Sequence, residues 1–208
     1  MSLAKQKFDK TINRCNELIS IYESLKAENP DANISQDILR SAIVLAVAAF
    51  DAYATDCFAE HFVDYIKRYK IDDELEKLLI DAGFTVSFAL ELIKMERPYR
   101  RIRTLIDKYY CKYTTQKLCV IDELFKHYHI KNLTKNAAKR SKKSPQRLIS
   151  SIEKIIERRH SIVHDGDYNE YNRIIKVTDT DIGRIGDLQI LVSNMEDIIN
   201  NKFNPSKG

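Results

Sequence analysis

The chain has 208 residues, 44% hydrophobic and 31% charged, with a formal net charge of +4. That length suits one domain with a full core and is short for two, and the apolar fraction excludes a disordered chain. With only 5 Gly and 4 Pro, turn formers are too scarce for a sandwich or barrel. We therefore expect an all-α, single-domain bundle over 1–208, with about five main helices plus short ones.

A first helix is predicted over 5–28, where Phe8, Ile12, Cys15, Leu18, Ile19, Tyr22 and Leu25 recur at three- and four-residue steps. Asn29-Pro30-Asp31 ends it, because proline disfavours a helical residue before it. Ser35 then caps a second, unusually long helix reaching about Tyr69. Its stretch 41–50 is apolar on every side, which marks a buried helix, and Asp51 follows directly. That carboxylate either turns out to solvent or faces inward to orient a catalytic arginine or histidine. The apolar run of residues 42–50 is far below the roughly 20 residues of a membrane span. Lys5, Lys7, Asp9 and Lys10 do not form a signal peptide's apolar region. The expectation is a cytoplasmic protein with no membrane partner.

Shorter helices are predicted over 71–81, ended by Gly83, and over 87–95, 98–111 and 115–128. The third opens Pro98-Tyr99-Arg100-Arg101-Ile102-Arg103 and continues to Tyr109, Tyr110 and Tyr113. Such interleaving suits phosphate contact with base stacking, and equally an ordinary amphipathic surface helix. Cys15, Cys57, Cys111 and Cys119 form no C-x-x-C pair and sit beside apolar residues in helical patterns, so buried free thiols are expected.

No acidic residue occurs from Leu124 to Ile152. Within that window 132–143 reads as a basic loop, either solvated surface or an RNA contact through Lys139, Arg140, Lys142 and Lys143, with Arg158 further on. Ser144-Pro145 starts the next helix. Leu148, Ile152 and Ile155 lie on its apolar stripe, and Arg159 occupies the stripe's next position. Gly166 falls where a C-cap would, leaving His164 in the last turn. A connector through Tyr168, Tyr171 and Ile174 leads to a final helix over 181–202.

His160 and His164 share a helix face at the spacing of a metal pair, but zinc needs a further ligand and no H-E-x-x-H occurs. No metal or cofactor is expected. RNA carries its own nucleophile, so its cleavage needs only an acid or base near pH 7 and a cation for the phosphate. Arg159 and His164 are of those kinds, yet five residues on a helix turn them roughly 140° apart. The helix must loosen near Gly166, or two copies must meet across an axis. In a purely structural bundle Arg159 would instead pair with a carboxylate.

Arg159, four residues and His164 match the R-x4-6-H motif of the HEPN superfamily of helical ribonucleases, with His160 as the polar residue after the arginine. Residues 162–166 and Phe50-Asp51-Ala52-Tyr53 resemble its RiboL-PSP-type branch. The resemblance implies a homodimer that cuts RNA without metal, leaves 2′,3′-cyclic phosphate, and serves in anti-phage defence or as a toxin with an antitoxin partner. It assigns the scissile phosphate to Arg159, acid/base work to His164, assistance to His160 and orientation of the arginine to Asp51. Where some relatives have a tyrosine two residues after the histidine, Gly166 stands here. Superfamily members also include catalytically inactive dimers that bind RNA or a protein.

Overall fold

The computed structural model describes residues 1–29, 33–110 and 117–203. Helix α1 (Leu3–Glu28) starts at Ser2, whose hydroxyl accepts from Lys5 N–H at 3.0 Å. It lies antiparallel on α2 (Asn33–Arg68). Glu60 of α2 accepts from the Leu3 and Ala4 amides at 3.0 and 3.1 Å, and Gln36 donates to the Tyr22 hydroxyl at 3.2 Å at the other end.

Four short elements follow, α3 (Asp73–Asp81), α4 (Val86–Ile93), α5 (Pro98–Tyr110) and α6 (Leu118–Lys126). Asp72 and Thr85 cap α3 and α4 through side-chain bonds to Leu75 and Phe88 amides, which is why both start a little from their expected first residues. The arginines of α5 do not stand clear of acid. Arg100 and Arg103 share a concavity with Glu60, Asp64 and Asp107, while Ile102 and Ile106 are buried.

Residues 132–143 are not a loop. They contain α7 (Leu133–Lys139), whose Leu133, Ala137 and Ala138 are fully buried. Thr134 donates from its amide and hydroxyl to Asp122 at 2.8 and 2.9 Å. Three apolar residues make a stripe too short to stand out among so many lysines. Cys119 also departs from expectation. It is exposed because Leu118, Ile121, Leu124 and Phe125 take the inner face of α6. Cys15 and Cys57 are buried free thiols, and burial pushes Cys15 up to about 11. The Pro30-Asp31 turn, Cys111, Tyr113 and Thr115 lie outside the described residues.

Helix α8 (Pro145–His164) and α9 (Asp179–Phe203) complete the bundle around α2. α9 runs parallel to α2, as bonds between Val177 and Gln36, Tyr53 and Glu196, and Arg68 and Phe203 mark successive levels. α8 runs opposite to both. By length and composition α2 could cross a membrane, but 61% of its most apolar window is buried, as in a core helix. Its C-terminal half ends in packed rings, with Phe58 stacked on Tyr128 at 4.4 Å and Tyr65 and Phe203 beside them.

Candidate functional site

The site is built on the last two turns of α8. Leu148, Ile152 and Ile155 are fully buried against α2 and α9. One turn on, Arg159 continues their stripe to the rim of the bundle, where it is half-buried. Its Nε is enclosed and has no hydrogen-bond partner, and among the described residues no carboxylate pairs with its guanidinium. A guanidinium partly removed from water with no anion beside it carries a desolvation cost that a phosphate would offset.

Its neighbour Arg158 has the opposite fate. It turns inward to Asp167, which is fully buried, donating at 2.8 Å to Oδ2 while its other Nη forms an ion pair with Oδ1. Arg40 of α2 donates to the same carboxylate from Nε at 2.6 Å. Both guanidiniums also reach the Ile175 carbonyl, at 2.8 and 3.0 Å, and Arg40 completes its set on Asp37 at 2.8 Å. Arg158, expected at the RNA surface, is thus committed to a buried ion cluster. Two left-handed residues place Asp167 there, Gly166 at φ +63° and Asp167 itself at φ +65°. They reverse the chain after α8 and return the carboxylate beneath its last turn. Asp tolerates this conformation better than most residues.

His160 and His164 are exposed, with ring centroids 4.3 Å apart and planes tilted by 39°. They form a pair only, and no cluster of three metal-ligating side chains occurs among the described residues. Helix α8 continues through His164 and is capped at Asp165, whose amide donates to Ser161 at 3.0 Å. The helix has not loosened, so Arg159 and His164 diverge by roughly 140° within one chain.

The other expected residues lie elsewhere. α2 meets this end of α8 at Arg40, and Asp51 lies eleven residues along the same helix, about 16 Å further. The acid beside the motif is therefore Asp167. Lys139, Arg140 and Lys142 are exposed at the opposite end of α8, about 22 Å or more along the axis from Arg159. Lys143 pairs with Asp187 at 2.5 Å, and Asp187 also accepts from Ser151.

Arg40 and Asp167 were not anticipated. A signal existed for Arg40: it is a cation at the start of the same all-apolar run that Asp51 ends. Nothing local marks Asp167 as its partner across 127 residues of chain. Residues 9–201 match the family model described as RiboL-PSP-HEPN, which spans the whole framework from α1 to α9. No curated protein and no solved structure matches. An all-α chain matched over nearly its full length belongs to the RiboL-PSP-HEPN family.

Proposed function

We propose that this protein is a metal-independent RNA endonuclease whose cleft forms between two copies of the chain. The observation that carries the reading is the contrast at α8: Arg158 is neutralised by Asp167, while the half-buried guanidinium of Arg159, beside exposed histidines, has no carboxylate partner among the described residues. In the reaction the 2′-hydroxyl loses its proton to a base and its oxygen bonds to phosphorus. The 5′-oxygen leaves with a proton from an acid, giving a 2′,3′-cyclic phosphate and a 5′-hydroxyl. The planar fork of Arg159 stabilises charge on the phosphoryl oxygens. His164 moves a proton, and His160, whose ring lies against it, assists.

The regular helix supports a dimer. Because Arg159 and His164 diverge on one α8, a two-fold axis beside the helix end lets the arginine of one copy meet the histidine of the other. Exposed Val163 offers an apolar contact there. Lys139, Arg140 and Lys142 supply a longer electrostatic track for the strand. A setting in anti-phage defence or a toxin–antitoxin pair belongs to the same proposal and is supported by family membership.

Purified protein incubated with single-stranded RNA in chelator should cut it. Arg159→Ala and His164→Ala, each folded and in the wild-type oligomeric state, should lose roughly a hundredfold or more. RNA lacking the 2′-hydroxyl at the cleaved position should resist. An inert wild type, or either variant cutting as well as wild type, overturns the enzyme reading. Charge reversal at Lys139, Arg140 and Lys142 should flatten the salt dependence of binding. For the cellular setting, induced expression should arrest growth with wild type and not with Arg159→Ala.

A further inference from the structure

We propose that the hairpin after α8, residues 167–175, is a base-stacking platform for single-stranded RNA, which rests on the endonuclease reading and extends it to the substrate. The hairpin is closed by an antiparallel bridge between Tyr168 and Ile174, with Ile175 N–H donating to Asp167 O at 2.8 Å and Asn169 N–H to Arg173 O at 2.9 Å. At its tip the Asn169 carboxamide oxygen accepts from the Tyr171 and Arg173 amides at 3.0 and 2.9 Å. Asn172 makes the turn at φ +54°. Its root is buried, because Arg40 and Arg158 hold both the Asp167 carboxylate and the Ile175 carbonyl. This is a short, internally bonded element on a fixed base.

What it displays is aromatic. Tyr168 is 50% exposed and Tyr171 is 73% exposed. The Tyr168 ring lies on the turn directly after His164: a Cβ added at Gly166 would come within 3.3 Å of it. A side chain at Gly166 would be strained at φ +63° and would move the ring by a few tenths of an ångström. The flat ring is thus laid beside the end of the motif helix. Local charges balance, with Asp165 and Glu170 against Arg173 and Lys176, so the hairpin has no phosphate-tracking field of its own. Exposed rings on an internally bonded backbone, without net charge and at the end of the helix that carries Arg159 and His164, suit the faces of unpaired bases. They lose little conformational freedom on stacking.

The chemistry asks for such an element. Attack by a 2′-oxygen requires it to stand in line with the departing 5′-oxygen, which regular A-form stacking prevents. Bases flanking the cleaved bond must be splayed, and a protein ring that stacks on one holds it so. Unpaired RNA, rather than duplex, is therefore the substrate class.

The chain contains no tryptophan, so Tyr171→Trp introduces a single indole reporter. Titration with an uncleavable 2′-O-methyl RNA dodecamer should quench its emission, and the duplex of the same sequence should quench it far less. By fluorescence anisotropy the Tyr168→Ala/Tyr171→Ala double variant should bind the single strand roughly tenfold or more weakly. Its salt slope and sedimentation should be unchanged, and the double Phe variant should retain affinity. Unaltered affinity in the double alanine variant, affinity lost only together with the oligomeric state, equal quenching by duplex, or no binding by wild type overturns the platform. Wild type that binds through the tyrosines but does not cut RNA leaves the platform standing and removes the endonuclease reading. Cutting with KM unchanged in the double alanine variant does the reverse.

Discussion

At its C-terminal end α2 is enclosed by rings, with Phe58 stacked on Tyr128 at 4.4 Å and edge-on to Phe125 and Tyr110. At its N-terminal end it is enclosed by charges, with Arg40 and Arg158 sharing Asp167. Both ends are buried, but by different physics. Among the rings, stabilisation follows apolar area and the Tyr128 hydroxyl is satisfied by the Phe58 carbonyl at 2.5 Å. Among the charges, each group holds only while its partners are present, since a lone buried ion is costly. Arg159 belongs to neither arrangement. Burial of a cation without compensation is what a binding site retains at some expense of stability.

The largest predicted break of this comparison is at Asp167. Asp167→Ala strands two buried guanidiniums and should cost about 3–5 kcal/mol in urea denaturation. Phe58→Ala should cost a similar 3–5 kcal/mol, roughly, by opening a cavity at the other end. The two separate in a second substitution. Tyr128→Phe keeps the packing and gives up one hydrogen bond, at about 1 kcal/mol, whereas Asp167→Asn keeps the shape, loses the charge and should remain strongly destabilising.

A smaller effect is expected with pH. His61 stacks on Phe203 at 4.4 Å, and burial, against the pull of nearby Glu60 and Glu196, holds its pKa below the ordinary histidine value. The unfolded chain therefore takes up a proton near pH 6.5 that the folded one refuses. Stability should be full above about pH 6.5 and decline as pH falls from there toward the folded pKa. His127, lowered by burial as well, acts in the same direction. Thermal unfolding followed across that range should show the decline, and His61→Phe should flatten it.

The smallest predicted change in stability is at Arg159. Arg159→Met should leave the melting temperature unchanged or raise it, because no partner is lost and an enclosed cation is removed. Arg158→Met, one residue away, should lower it markedly. Equal losses at both positions would erase the distinction between a structural and an uncommitted arginine.

Much of this was legible in the residues. The stripe Leu148, Ile152, Ile155 led to Arg159 before any contact was known, and the all-apolar start of α2 marked the core helix. Helical periodicity is a local property, repeated every few residues, so elements and their buried faces follow from the sequence alone. Where local signals were weak the reading erred. α7 was lost among lysines, and Asp51 was matched to the wrong end of α8.

Residue pattern alone was enough for the all-α class, the five main helices and the placing of Arg159 on a buried stripe with His164 in the last turn. Which arginine is neutralised depends on long-range packing. Arg158 and Arg159 are adjacent and chemically identical, and the stripe that holds Arg159 says nothing of which one meets a carboxylate. Only the return of Asp167 beneath α8, and the arrival of Arg40 from 127 residues away, neutralise one and leave the other. Partner choice of that kind depends on where distant chain segments meet, which no local period encodes.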